Sequence, residues 1–234
     1  MDSIAQGFSQ AVKLIFHLNP ELFGIIILSL KVSGLALIIA TALGLPAGAV
    51  LGLTKFPGRG FAVSITNTFM GLPPVVVGLF VYLLLSRKGP LGFMGLLYSP
   101  SAMVIAQTIL AVPIVTALCQ SAIVSVDPLV RQAARTLGAT PLQETIAIIR
   151  EARYGILSAV IAGFGRVMAE VGSILIVGGN IAGYTRVMTT TIALETDKGN
   201  FELALALGII LLTISFLINA ALHAVQRKGA VQNV

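Results

Sequence analysis

Long uncharged stretches, separated by short charged ones, dominate the pattern of this chain. Residues 32–54, 60–86, 89–126 and 203–226 contain no lysine, arginine, aspartate or glutamate. The hydrocarbon core of a bilayer is about 30 Å thick and is crossed by roughly 20 helical residues, so each stretch is long enough to span it. Helix is the required form, because unpaired backbone groups cannot face lipid. The pattern predicts four transmembrane helices.

A fifth apolar stretch runs from Tyr154 to Thr185 and is interrupted by Arg166 and Glu170. We interpret it as a fifth span that carries two charges. The predicted fold class is therefore an all-α integral membrane protein with about five spans. The predicted spans are about 29–53, 61–85, 102–124, 156–177 and 203–225.

The two ends of the chain differ from this pattern. In residues 1–18, Ile4, Phe8, Val12 and Ile15 fall on one helical face, which predicts an amphipathic helix lying in the membrane interface. Asn19, Pro20 and Glu21 form a start signal for the first long helix. We divide the chain into an N-terminal segment 1–20, a transmembrane domain 21–226 and a tail 227–234.

Composition supports the membrane interpretation and excludes other classes. Apolar residues make up 56% of the 234-residue chain and charged residues 10%, whereas a soluble domain has about 25% charged residues. These values argue against a soluble enzyme and a nucleic-acid binder. One cysteine and two isolated histidines give no basis for a disulfide framework or a metal site.

The distribution of basic residues predicts the orientation. With the N-terminus outside, eight lysines and arginines lie in cytoplasmic segments: Lys55, Arg59, Arg131, Arg135, Arg150, Arg153, Arg227 and Lys228. Five lie in outer segments: Lys13, Arg87, Lys88, Arg186 and Lys198. The positive-inside rule then favours an outer N-terminus and a cytoplasmic C-terminus in the plasma membrane.

The loop 127–150 is the one hydrophilic cytoplasmic segment. Asp127-Pro128 predicts the start of a short helix over 128–137, which ends where Gly138 takes the C′ position. Thr140-Pro141 repeats the start signal, with Glu144 near the third position of a second helix that runs to about Ile149. Two short helices joined at small residues form a compact projection. On residue pattern alone, we would interpret it as an ordinary solvated loop.

The residues Ala133-Ala134-Arg-Thr-Leu-Gly138, followed by Ile148, resemble the "EAA" loop in the permease subunits of type I ABC importers. The chain departs from that pattern at Gln132, where the family has Glu, and at Arg150-Glu151, where it has Leu-Pro. The resemblance implies a coupling helix that docks on a separate ATPase subunit. The implied contacts are Arg131, Gln132, Ala133, Ala134, Leu137, Gly138, Ala139, Thr140 and Pro141.

A narrower resemblance points to the molybdate/tungstate branch of that family. Its motifs are Gly71-Leu-Pro-Pro-Val-Val-Val-Gly78, Arg87-Lys-Gly-Pro-Leu-Gly92 and Gly178-Gly-Asn-Ile-Ala-Gly-Tyr-Thr185. Residues 189–204 resemble the tungstate permeases more than the molybdate permeases. The resemblance implies a homodimer with the pathway at its interface, two cytoplasmic ATPase subunits and an extracytoplasmic oxyanion-binding protein. ATP is expected to be used by the partner subunit, and no cofactor or metal is expected on this chain.

Three features are candidates for the translocation pathway, and each has a plain structural alternative. Pro73-Pro74 removes backbone donors and must kink or break its span. The kink either serves helix packing or lines a gate. Arg166 and Glu170, four residues apart, share a helix face. They either neutralise each other, or Arg166 lends positive potential to an anion path. Gly178, Gly179 and Asn180 make a turn that is ordinary or shapes the outer gate.

Glycines at 48, 52, 71 and 78 predict close helix approach.

The chain has no Gly-rich run followed by Lys-Ser/Thr, so hydrolysis by a Walker A site is not expected. We therefore predict a transport subunit that is not an enzyme and imports an oxyanion, tungstate before molybdate or sulfate, by alternating access. A standalone secondary transporter is the rival of a different class; no internal repeat supports it. An intramembrane enzyme lacks candidate catalytic groups.

Overall fold

The computed structural model describes the backbone of residues 20–230 and the side chains of residues 22–220. Residues 20–230 form ten α-helices and one short 3₁₀ helix, Gly92–Met94. The α-helices are α1 (Pro20–Leu53), α2 (Arg59–Met70), α3 (Pro74–Leu85), α4 (Pro100–Val124), α5 (Pro128–Thr136), α6 (Pro141–Glu151), α7 (Arg153–Met168), α8 (Gly172–Gly178), α9 (Met188–Asp197) and α10 (Phe201–Ala230). The predicted amphipathic helix over 1–18 lies outside the described residues.

Three of these helices are long and apolar enough to cross a membrane singly. They are α1, α4 and α10. Two further pairs reach the required length only together: α2 with α3, bent by 99°, and α7 with α8, bent by 57°. The predicted five spans correspond to three unbroken helices and two broken pairs in the described part of the chain. Each unbroken helix starts earlier than its predicted span, and α1 begins at Pro20, where the sequence has its start signal.

The break in the second span follows from the two prolines. Gly71 and Leu72 end α2 by donating their N–H groups to Thr68 and Phe69 at 3.1 and 3.2 Å. Pro73 and Pro74 have no N–H to continue the helix, so α3 starts afresh with Pro74 as its first residue. The predicted break at this dipeptide is confirmed.

Helix α4 is the centre of the molecule. In its apolar window 72% of residues are buried, against 33% in α1 and 22% in α10. Glycines spaced four apart on α1 let the two backbones approach: a Cβ added to Gly48 lies 2.6 Å from the Thr116 carbonyl oxygen. Close approach is also confirmed at Gly52 and Gly78. At Gly71 the prediction is wrong, since the nearest atom belongs to its own turn, at 3.6 Å.

Candidate coupling surface and translocation pathway

Helices α5 and α6 form the projection that the sequence predicts. The Asp127 carboxylate accepts the Leu129 N–H at 2.8 Å and caps α5. Gly138 follows α5 with φ +79°, the left-handed conformation predicted for it. The Thr140 hydroxyl caps α6 by accepting the Gln143 N–H, and the Gln143 side chain accepts the Thr140 N–H at 2.8 Å. The two predicted helices and both caps are confirmed.

Glu144 has a different place from the one predicted. The third position of α6 belongs to Gln143, so Glu144 lies one position further along and points back to α5. Its carboxylate pairs with Arg131 at 3.0 Å and with Arg135 at 2.9 Å. The hydrogen bond from Arg135 is the main reason why the pKa of Glu144 lies below its usual value; desolvation opposes it, and the charges of Arg135 and Arg131 add smaller lowering effects. Glu144 thus links the two helices, in a chain that has Gln132 where the EAA pattern has Glu.

The outer face of this projection exposes apolar side chains. Leu137 is 86% exposed, Leu142 69% and Leu129 65%. Leu137 belongs to the predicted coupling residues, whereas sequence reasoning missed Leu129 and Leu142. Among the other predicted members, Arg131, Ala134 and Ala139 are half-buried and the rest are exposed. Several exposed large apolar side chains on an otherwise polar projection are typical of a protein-binding surface.

The projection is anchored directly to the central helix. Ile148 of α6 is buried in one cluster with Cys119 and Ile123 of α4, together with Ala152 and Ile156. Gly155, near the start of α7, lies so close to α4 that an added Cβ would be 2.6 Å from the Ala122 Cβ. A force on α5 and α6 is therefore transmitted to α4 and α7 through packed side chains.

The two broken spans lie side by side, with their breaks at the same level. A Cβ added to Gly172, the first residue of α8, would be 3.0 Å from a methyl of Val75. One added to Gly78 would be 2.8 Å from the Ser173 Cα. Helices α3 and α8 therefore run in parallel from adjacent starting points. Sequence reasoning treated the breaks separately and gave no sign that they meet.

Arg166 and Glu170 are not on one helix, and this part of the prediction is wrong. Helix α7 ends at Met168, and Glu170 lies in the break before α8. The helix ends there because the Glu170 carboxylate, 2% exposed, accepts the N–H of Ser173 at 2.9 Å and occupies the start of α8. Arg166 approaches its other oxygen only to 3.8 Å. The side chain of Arg166 is 32% exposed on the surface of the chain.

The Gly178-Gly179-Asn180 turn is present. Gly179 and Asn180 have φ of +70° and +50°, the left-handed values that a tight turn needs. Gly178 packs against Met103, and a Cβ at Gly179 would lie 2.8 Å from the ring of Tyr98. These contacts explain the glycines by packing. The assignment of Gly178, Gly179 and Asn180 to the pathway stays a prediction, as it does for Pro73, Pro74, Arg166 and Glu170.

Comparison with known proteins gives one consistent family. The family described as "Binding-protein-dependent transport system inner membrane component" matches residues 44–230. A tungstate uptake system permease protein of Peptoclostridium acidaminophilum is 42% identical over 228 residues, 97% of this chain and 100% of that protein. The Campylobacter jejuni counterpart is 37% identical over 97% of this chain and 95% of its own length. The Escherichia coli K12 molybdenum transport system permease protein is 31% identical, covering 91% and 97%.

Solved structures support the same fold. A bacterial alginate ABC transporter in complex with an alginate pentasaccharide-bound periplasmic protein matches with a TM-score of 0.77 at 19% identity, covering 97% of this chain and 87% of that one. An inward-facing MetNI methionine ABC transporter matches with a TM-score of 0.68 at 20% identity, covering 86% and 92%. With its broken apolar spans and its projecting α5–α6 pair, the chain belongs to the family of inner-membrane permease components of binding-protein-dependent transport systems.

Proposed function

We propose that this chain is the membrane-spanning subunit of an ATP-driven importer of a tetrahedral oxyanion, with tungstate as its principal cargo. The observation that carries the proposal is its similarity over nearly the full chain to two tungstate uptake permeases, at higher identity than to the molybdenum permease. The chain supplies the pathway. A separate cytoplasmic subunit binds and hydrolyses ATP, and an extracytoplasmic binding protein delivers the anion.

The coupling surface, defined as the exposed face of α5 and α6 around Leu129, Leu137 and Leu142, docks on the ATPase. Closure of two ATPase subunits would push these surfaces together. Because Ile148 is packed against α4, the movement reaches the spans without passing through a flexible linker. Alternating access then follows from reorientation of α4 and α7 with the helices packed on them.

A second copy of this chain completes the pathway. Helix α7 and the residue that directly follows it expose a row of small residues, namely Ser158, Ala162, Gly165 and Ala169. Helix α10 instead exposes large side chains, with Leu212 70% and Phe216 71% exposed. Small residues let helices approach within a membrane, whereas large aliphatic and aromatic ones suit lipid. We therefore assign α7 to the interface between copies and α10 to the lipid.

This assignment places Arg166 beside the interface, because it lies next to Gly165 on the half-exposed side of α7. Two copies would bring two guanidinium groups to the path of an anion. Replacement by Ala should lower oxyanion uptake and leave the ATPase bound, while Arg166→Lys retains part of the uptake. Unchanged uptake in Arg166→Ala excludes a role in the pathway.

Disulfide cross-linking tests the interface. Cys119 is buried, so a Cys119→Ser background carrying Ala162→Cys reports on α7 alone. We expect an oxidised dimer in membranes from this variant. The matched variant Leu212→Cys, on the lipid-facing side of α10, should stay monomeric under the same oxidant. A dimer from Leu212→Cys alone reverses the assignment.

Cargo is tested by uptake in cells lacking their own oxyanion importers. Cells that express the three-component system should accumulate tungsten, measured by elemental mass spectrometry. Excess molybdate or sulfate should compete weakly. Molybdate and sulfate are the alternative cargoes, because a molybdenum permease of Escherichia coli and a sulfate permease of Synechocystis are each 31% identical to this chain. If molybdate or sulfate at a concentration equal to that of tungstate suppresses tungsten accumulation, the cargo is reassigned.

The need for an ATPase is tested by co-purification. Gly138→Asp places a side chain on a left-handed residue at the corner of the coupling surface. Gly199→Asp is its control: φ is +77° against +79°, and neither glycine has an atom within 4 Å of its added Cβ. We expect the ATPase to be lost only from Gly138→Asp. Uptake without any ATPase subunit favours a standalone transporter.

A further inference from the structure

A groove with two cations lies between α1 and the turn that follows α8. Its volume is about 410 Å³. Lys31 of α1 and Tyr184 and Arg186 of the turn supply its polar groups, and Ile25, Ile27 and Leu28 are part of its apolar wall. No carboxylate is among its lining residues within the described chain. The coupling surface and the pathway candidates above do not include these residues.

The charge of Arg186 is incompletely satisfied. Its Nε is buried and has no hydrogen-bond partner among the described residues. The neighbouring acid is Glu195, whose pKa is lowered mainly by a hydrogen bond from Lys198 and least by the charge of Arg186. Both carboxylate oxygens of Glu195 are already used, by Lys198 and by Asn200, each at 2.9 Å. A buried donor without a partner is costly, so the guanidinium keeps hydrogen-bonding capacity that the described residues do not use.

Lys31 provides the second charge from the opposite wall. Within the described residues it forms no ion pair, and neither does Arg186. An anion bound in the groove would be attracted by both charges. Lys31 is 22 residues before Leu53, the end of α1, so at 1.5 Å per residue they are about 33 Å apart along the axis. The groove is therefore on the side of the membrane opposite to the coupling surface.

We propose that Lys31, Tyr184 and Arg186 form a binding site for a tetrahedral oxyanion at the outer end of the chain. A guanidinium fork and a phenol O–H from the turn, with an ammonium from α1, offer donors for several oxygens of one anion. Two sources share this chemistry: the free oxyanion that is the cargo under the proposed function, and the phosphate of an anionic lipid headgroup. If the ligand is the cargo, the site would be its first contact after release from the binding protein. Binding there would be weak, because a transport pathway must release its cargo.

Binding to the purified permease tests the site directly. The full chain is placed in phosphatidylcholine nanodiscs, and tungstate binding is measured by equilibrium dialysis with elemental tungsten as readout. Arg186→Ala and Lys31→Ala should each weaken binding about tenfold, the effect of losing one charge-assisted hydrogen bond. Tyr184→Phe should have a smaller effect. Arg87→Ala and Lys88→Ala are matched controls, because they remove exposed outer cations that do not line the groove.

A second arm separates the two sources. Nanodiscs that contain phosphatidylglycerol should leave tungstate affinity unchanged if the site serves cargo. If it holds a headgroup, phosphatidylglycerol raises the melting temperature of the wild type, and Arg186→Ala and Lys31→Ala abolish that rise. Either result supports an oxyanion site. Equal behaviour of the groove variants and the controls in both arms overturns it.

Cellular uptake keeps this inference apart from the proposed function. Suppose that cells expressing the wild-type transport system accumulate tungsten, while the groove variants bind tungstate as the control variants do. The proposed function then stands, and the groove is not an oxyanion site. If wild-type cells accumulate no tungsten, the proposed cargo is wrong. The nanodisc assay with phosphate and sulfate then still decides whether the groove binds tetrahedral anions. If Arg186→Ala folds poorly, Lys31→Ala still tests the site, because Lys31 is exposed and its replacement should not affect folding.

Discussion

The coupling surface and the paired breaks in the membrane are built by opposite means. In the coupling surface, caps and ion pairs define two short helices whose tip residue Leu137 is 86% exposed. At the breaks, packing dominates, and the single carboxylate of Glu170 is 2% exposed. Exposed side chains of the coupling surface can therefore be substituted without altering the fold. The breaks cannot change without moving α3 against α8, so substitutions there should affect folding as well as transport.

The largest effect is expected where backbones touch inside the membrane. Gly48→Leu must displace the Thr116 carbonyl, which lies 2.6 Å from an added Cβ. Overpacking of this kind costs about 1–3 kcal/mol, and a backbone obstacle places Gly48→Leu at the upper end. Thermal unfolding in detergent should show a clear loss of stability. Gly34→Leu on the same helix, with no atom within 4 Å, is the control and should unfold like the wild type.

The next effect concerns the coupling surface and should leave the fold intact. Leu137→Asp puts a charge on an 86% exposed apolar tip. We expect at least about tenfold weaker binding of the ATPase, because a buried interface position would receive an unpaired charge. Phe93→Asp, 85% exposed on the 3₁₀ helix, is the matched control. Equal ATPase binding by both variants contradicts the assignment of the coupling surface.

A smaller effect is expected at Glu170. Glu170→Ala leaves the buried N–H of Ser173 without its acceptor, which costs about 1–3 kcal/mol. Glu170→Gln retains an acceptor oxygen and removes the charge, so its loss of stability should be less than that of the alanine variant. Denaturant titration of both variants measures the difference. Equal destabilisation would mean that the ion pair with Arg166 at 3.8 Å matters more than the hydrogen bond.

The two regions also differ in how far the sequence predicts them. Caps are local, so Asp127, Gly138 and Thr140 each identify a helix end from two or three neighbours. The cap pattern gives the third position to Gln143, and it does not predict the pairing of Glu144 with Arg131 and Arg135, which come from another helix. The Pro73-Pro74 break is local as well. Its contact with the break at Glu170 joins residues about a hundred positions apart, and no local pattern encodes that contact. Arg186 and Lys31, which line one groove, are likewise far apart in the sequence.

The smallest effect concerns the link within the coupling surface and depends on pH. The pKa of Glu144 is lowered in the folded chain, so its pairing with Arg135 and Arg131 contributes above the usual glutamate pKa of about 4.3 and is lost as pH falls through the lowered value. Hydrogen exchange of α6 should therefore show constant protection, after correction for intrinsic rates, from neutral pH to about 5 and a decline below about 4. In Glu144→Gln, the hydrogen-exchange protection of α6 should be at the low level of the acidic wild type at every pH. Because the side chain of Arg135 is 64% exposed to solvent, the difference should be slight, and Thr140 capping should hold α6 together in both proteins. Global unfolding of Glu144→Gln at neutral pH would mean that the coupling surface, like the breaks, is required for the fold.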